Sequence, residues 1–265
     1  MSDTAFLFMD LTARGQPPLA YALLNGYLDE SGDYEGLLLL SLFGVYRALV
    51  RAKVASLSHE PESLRRYVAV AEALMRQRHE GLILMHGVTA SGKSWVAAEL
   101  ARALPAIRIQ SDRERRRDDS GELRGLAAGQ LYQGRYTPDR IHQTYERLRA
   151  CADFTLTAGY WVIIDATFLQ RARRREFATL AERHDCPLVM VACESPLTVL
   201  QRRLQARRAR ATDLSEATTE VLASQRRELD LFGEDEQRSI VTLNTAIPTA
   251  AAAAVAAVRH RLEPG

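Results

Sequence analysis

The sequence predicts an α/β protein built on a five-stranded parallel sheet, with an all-helical segment ahead of it. Three observations carry that expectation. A short apolar run, Leu82 to Met85, breaks at a glycine and leads into an alanine-rich helical stretch beginning near Lys93. From Glu80 onward, short apolar strands alternate with longer amphipathic stretches, the pattern of a parallel sheet covered on both faces. The first 78 residues instead show helical spacing throughout, so the expected division is a helical segment over 1–78 and an α/β domain over 79–265.

In the amino-terminal segment, helices are predicted over 4–13, 18–30, 34–57 and 61–78. Ser31-Gly32-Asp33 supplies one turn, and Ser58-His59-Glu60-Pro61 marks another break. Leu38, Leu42, Val45, Tyr46, Leu49 and Val50 recur at helical spacing and define the face this segment is expected to bury. Arg47, Arg51 and Lys53 read as a solvated edge. The longest apolar stretch, Leu37 to Val50, is interrupted by Ser41, Gly44 and Arg47 and is too short and polar to cross a bilayer. No signal peptide is recognised, and the three cysteines, Cys151, Cys186 and Cys193, lack metal-site spacing. Together these lead to the expectation of a cytoplasmic protein with reduced thiols. With 35 Lys and Arg against 33 Asp and Glu, the chain does not have the charge of a protein that coats nucleic acid.

The break after the first strand reads Gly87-Val88-Thr89-Ala90-Ser91-Gly92-Lys93-Ser94, the full phosphate-loop pattern between a strand and a helix. Glycines let the backbone curl so that successive N–H groups aim at one oxyanion, and the helix that follows adds its positive end. Gly87, Thr89, Ala90, Ser91, Gly92, Lys93, Ser94 and Trp95 are therefore the expected nucleotide-binding residues. Lys93 is placed to reach the outer phosphates, and Ser94 to ligate magnesium. The expected cofactors are ATP and Mg2+.

Further strands are predicted over 106–110, 160–165, 187–193 and 239–243, with helices over 93–103, 138–158, 170–184, 196–210, 215–230 and 248–262. The second strand ends at Ser111-Asp112. Asp112 suits a base that takes the proton of an attacking hydroxyl, or equally a helix N-cap, with Glu114 and Arg113, Arg115, Arg116 and Arg117 as a solvated helical face. Tyr160 to Asp165 is an apolar strand ending in a carboxylate, the arrangement that holds magnesium in phosphate-loop enzymes; capping is the alternative for Asp165. Arg171, Arg173, Arg174 and Arg175 open the next helix against its dipole, which suggests an anion nearby or, for most of them, an exposed face. Arg203 and Arg207, four apart, can share a helical face and neutralise charge on a transferred phosphoryl group. Residues 121–138, with Tyr132, Arg135 and Tyr136, are long enough for a functional loop that shapes an acceptor pocket.

Residues 80–245 resemble the P-loop kinases related to polynucleotide kinase, gluconate kinase, chloramphenicol phosphotransferase and zeta toxin. The matching stretches are Gly87–Ser94, Ser111-Asp112 with its arginines, Gly159 to Phe168, and Arg203-Leu204-x-x-Arg207. The resemblance implies a P-loop NTPase fold of the adenylate-kinase-like type, with the first strand central and the third beside it. It also implies Asp112 as acceptor base, Asp165 near the loop, and Arg203 and Arg207 as lid residues. Trp95 departs from it, standing where a small hydroxyl residue is common. Ala5–Leu11, Tyr27–Tyr34 and Val45–Lys53 look like the final helices of an aminoglycoside-phosphotransferase-like domain, without that family's nucleotide lobe or His-x-Asp loop. The segment is read as a cap on the kinase domain or a surface for self-association. The function expected is an ATP-dependent kinase acting on a hydroxyl acceptor, a small molecule in preference to a nucleic-acid 5′ end. The alternatives are a polynucleotide kinase, an ATPase switch acting on a protein partner, and a folded nucleotide site without an efficient acceptor pocket.

Overall fold

The computed structural model describes residues 1–76, 81–117, 137–210 and 219–262, the side chains of 207–210 aside. Four helices come first: α1 (Ser2–Ala13), α2 (Pro17–Ser31), α3 (Leu37–Leu57) and α4 (Pro61–Arg76). Then follow β1 (Gly81–His86), α5 (Lys93–Ala103), β2 (Ala106–Gln110), α6 (Ser111–Arg117), α7 (Pro138–Thr157) and β3 (Trp161–Asp165). The chain continues through α8 (Arg171–Arg183), β4 (Leu188–Glu194), α9 (Leu197–Arg210), α10 (Thr219–Arg227), β5 (Ile240–Asn244) and α11 (Ala250–Leu262).

The five strands are all parallel in the order β2-β3-β1-β4-β5, so β1 is central, with β3 on one side and β4 on the other. This is the P-loop NTPase fold that the spacing and the resemblance lead one to expect. Because side chains alternate along a strand, β1 serves two cores. Leu82 and Leu84 pack with α1, α2, α3, α7 and α8 on one face, whereas Ile83 and Met85 pack with α5 and α11 on the other. Strand order reverses at β1, and a crevice at the carboxyl ends on either side of such a point is where α/β sheets bind ligands.

The amino-terminal helices belong to the first of these cores, and α2 guards the open edge of the sheet. Asn25 does this with one side-chain amide: its Nδ2 donates to the Ala106 carbonyl at 3.0 Å, and its Oδ1 accepts from the Arg108 amide at 2.7 Å. An edge strand otherwise offers unpaired backbone to any passing strand. The end of α2 is held as firmly. Arg117 donates to the carbonyls of Leu28, Asp29 and Glu30 in the last turn, where Leu28 also accepts from the Gly32 amide.

Two expectations about side-chain placement are corrected. The arginines of α6 are not a solvated face: Arg113 pairs with Asp29 and Glu30, and Arg117 and Arg147 share Glu114, which is fully buried. The face that α3 buries is also not the one its large residues mark. Leu37, Leu40, Gly44, Ala48, Ala52 and Ala55 face inward, whereas Leu38, Leu42, Tyr46, Leu49 and Val50 are exposed and Val45 is only partly buried. Small residues let α4 approach closely; a Cβ on Gly44 would lie 2.8 Å from Leu74.

Candidate active site

The loop between β1 and α5 has the curled backbone that its glycines permit. Gly87 adopts φ +135°, and a Cβ there would lie 2.5 Å from the Cys193 carbonyl oxygen. Gly92 adopts φ +92°, and a Cβ there would lie 2.9 Å from the Thr245 hydroxyl, so neither position tolerates a side chain. Ala90 takes φ +60° without being glycine, a local cost borne where the loop turns. The Lys93 side chain is buried and folds back on the loop, its Nζ donating to the Val88 carbonyl at 2.7 Å. The Thr89 amide points out of the loop and donates to Oε1 of Gln225, on α10, at 2.6 Å.

β3 lies next to β1, and this brings Asp165 to the start of α5. Its Oδ1 accepts from the Ser94 hydroxyl at 3.2 Å, and its Oδ2 accepts from Arg108 on β2 at 2.5 Å. The carboxylate is buried, and that guanidinium supplies its counter-charge. A hydroxyl beside a carboxylate is the hard oxygen donor set that suits magnesium. Among the described residues no cluster of three His, Cys, Asp or Glu could cage a metal. Asp112 stands in the first turn of α6, 37 % exposed, with Arg115 donating to its Oδ1 at 2.9 Å. Partial burial raises its carboxyl above the usual range; Arg115 opposes that, the charge of Asp165 adds to it, and Lys93 opposes it. The charges of Asp165 and Lys93 that act on it belong to the strand end and to the loop. Ser111 ties this turn to β3 by donating to the Asp165 carbonyl at 3.1 Å.

Arg203 lies against the phosphate loop. Its Nη1 donates to the Ala90 carbonyl, the Ser195 hydroxyl and the Thr245 hydroxyl at 3.1–3.2 Å, and its Nη2 donates to the Thr245 carbonyl at 2.7 Å. These bonds join α9 to the loop and to the residue that follows β5. The side chain of Arg207 and residues 118–136, with Tyr132, Arg135 and Tyr136, lie outside the described residues. Trp95 is 42 % exposed.

Sequence reasoning missed Arg108, Gln225 and Thr245. Thr245, whose hydroxyl bonds the Ser91 carbonyl, and Gln225 follow no motif and come from elements far along the chain. A charged residue inside the apolar strand Ala106–Gln110 was a signal for Arg108. The anion anticipated for the start of α8 is Glu236: Arg174, 1 % exposed, holds it with two bonds of 2.6 and 3.0 Å and also donates to the Phe168, Leu169 and Leu231 carbonyls. His86, just before the loop, is buried against Phe232 with ring centroids 4.5 Å apart.

Known proteins agree with this architecture. A sugar kinase from Janibacter sp. superposes with a TM-score of 0.50 at 19 % identity, over 69 % of this chain and 94 % of that one. Kti12 from Chaetomium thermophilum, solved in complex with ADP-AlF3, gives 0.52 at 14 % identity, over 69 % and 99 %. At these identities the likeness is one of fold. Uncharacterized proteins of Mycobacterium bovis (Mb2027c) and Mycobacterium tuberculosis (Rv2004c) are each 31 % identical over 231 residues, 84 % of this chain and 46 % of theirs. The chain therefore spans about half the length of the curated relatives it matches. Residues 82–232, which include the phosphate loop, both carboxylates and Arg203, match the AAA_33 family, described as an AAA domain, and the chain belongs to that family.

Proposed function

We propose that this protein is an ATP- and magnesium-dependent kinase that transfers a terminal phosphate to a hydroxyl. The observation that carries the reading is the meeting of Ser94 with Asp165, 3.2 Å apart, beside a glycine-curled loop onto which the Lys93 side chain folds. Lys93 and the loop amides hold the phosphates, and Lys93 exchanges the Val88 carbonyl for a phosphate oxygen. Ser94 and Asp165 hold the magnesium ion, which when bound offsets charge on the outer phosphates. Asp112 takes the acceptor's proton. Its raised carboxyl is better matched to that task than an ordinary aspartate, because a more basic carboxylate accepts a proton more readily. Arg203 keeps the loop in shape by bracing Ala90 against Thr245.

A small-molecule acceptor is favoured over a nucleic-acid end. The arginine clusters that could grip a phosphate backbone are largely paired with carboxylates of the protein itself: Arg113 with Asp29, Arg115 with Asp112, Arg171 with Asp235, and Arg174 with Glu236. The test offers labelled ATP with pools of sugars, nucleosides, hydroxylated antibiotics and 5′-hydroxyl oligonucleotides. One small-molecule pool is expected to become labelled, and Asp112→Asn is expected to lower that transfer at least ~100-fold while nucleotide binding is kept. Labelling of no pool above hydrolysis, with hydrolysis intact in Asp112→Asn, would favour an ATPase switch instead.

A further inference from the structure

We propose that the outward face of α3 is the interface of a homodimer in which two copies of this helix pack antiparallel about a two-fold axis. The helix is apolar almost all round, a property of helices that are covered on every side. Its inward face carries the smaller residues, and its outward face carries Leu39, Leu42, Tyr46, Leu49, Val54 and Leu57, between 47 % and 73 % exposed. They follow helical spacing along the whole element, so they form one continuous stripe. On neighbouring α1, Phe6 and Leu7 are 40 % and 44 % exposed and widen it; Phe6 reaches α3 through Arg47, whose Cζ lies 5.5 Å from the ring centroid.

The size of this surface argues for a second copy. With other exposed apolar residues of α3, it offers on the order of 800 Å² of apolar area, one partner's share of a standard interface. The largest apolar patch of an ordinary monomer is about 300–600 Å². A single stripe on one straight helix is self-complementary, which an isologous two-fold contact requires. Charge then sets the direction. Lys53 lies within the stripe, whereas Arg47 is turned aside onto the Phe6 ring and Arg51 onto Tyr67, and α3 has no acidic residue to answer Lys53. Parallel packing would put two lysines side by side. Antiparallel packing centred near Tyr46 sets each Lys53 opposite the Leu39 region, with the two lysines roughly 20 Å apart at about 1.5 Å per residue. The inference does not depend on the kinase reading, since no residue of the stripe belongs to the nucleotide site.

The full chain is tested by sedimentation equilibrium across the micromolar range. The parent is expected to be a dimer, and Leu42→Asp and Tyr46→Asp are expected to weaken association at least about 100-fold, with fluorescent-nucleotide binding unchanged. Tyr46→Cys in a Cys186→Ser background is expected to cross-link to itself under mild oxidation, whereas Leu57→Cys is not. Any of three results overturns the proposal: a monomer at all concentrations, a dimer that survives both aspartates, or self-cross-linking at Leu57 without Tyr46. A monomer whose stripe is instead covered by phosphatidylcholine vesicles, or by a polypeptide made from the extra half of the mycobacterial relatives, also overturns it and identifies the other occupant.

Discussion

The carboxyl ends of the strands and the outward face of α3 both depart from the usual sorting of residues, in opposite directions. At the strand ends, Lys93, Asp165, Arg174 and Glu114 are buried although charged. On α3, leucines and a tyrosine are exposed although apolar. Every charge in the first group has found an answer: a carbonyl for Lys93, Arg108 and Ser94 for Asp165, Glu236 for Arg174, and Arg117 with Arg147 for Glu114. No helix of the described residues lies over the exposed side chains of α3. Burial thus follows the supply of partners rather than residue type, and the strand ends supply them because five parallel strands and their loops converge there.

The comparison can be broken most sharply at Lys93. Lys93→Ala leaves the Val88 carbonyl without its ammonium and removes the charge-assisted contact to phosphate, so nucleotide affinity should fall at least ~100-fold by fluorescence titration. Undiminished affinity would mean the loop is not a phosphate site. Arg174→Ala comes next: it strands Glu236 and three carbonyl groups in the interior, and urea unfolding should show a loss of about 3–5 kcal/mol. Adding Glu236→Leu to Arg174→Leu should recover part of that loss, as expected if the pair is costly only when broken.

His86 gives a smaller, pH-dependent effect. Burial, with help from the charges of Arg174 and Lys93, pushes its imidazole down to about 4. The folded state therefore keeps it neutral while the unfolded chain protonates below its ordinary value. Its contribution is fully present above about pH 6.5 and is lost as pH falls toward 4, by up to ~3 kcal/mol. Thermal melts of the parent and His86→Phe should diverge as pH drops across this window, and parallel curves would contradict a buried neutral imidazole. The smallest effect belongs to α3. Leu40→Ala, facing inward, should cost about 2–5 kcal/mol, whereas Leu42→Ala should change the stability of the monomeric fold by less than ~0.5 kcal/mol. Equal losses at the two positions would erase the distinction between the faces.

Strands were legible wherever local chemistry is unambiguous. Leu82 to Met85 and Tyr160 to Ile164 are continuous apolar runs bounded by polar or glycine positions, and both are strands within one residue of expectation. α3 as a helix was equally legible, but its orientation was not. Periodicity reports that two faces differ, and a run of Leu and Tyr on one side with Gly and Ala on the other gives no sign that the small side is the one a neighbour fits. The arginines of α6 and α8 misled for a related reason: Asp29, Glu30 and Glu236, which pair with them, lie about 60 or more residues away in the chain.

What the sequence determined by itself is the phosphate loop and the alternation of strands around it, because a glycine-bounded turn and an apolar run act through their nearest neighbours. Only the tertiary structure decided that Asp165 meets Ser94, that Arg203 braces the loop, that Gln225 caps the Thr89 amide and that α2 seals the β2 edge. Each of these joins segments far apart in the chain. Such a contact is set by which strand lies beside which, and strand order is a property of the assembled sheet.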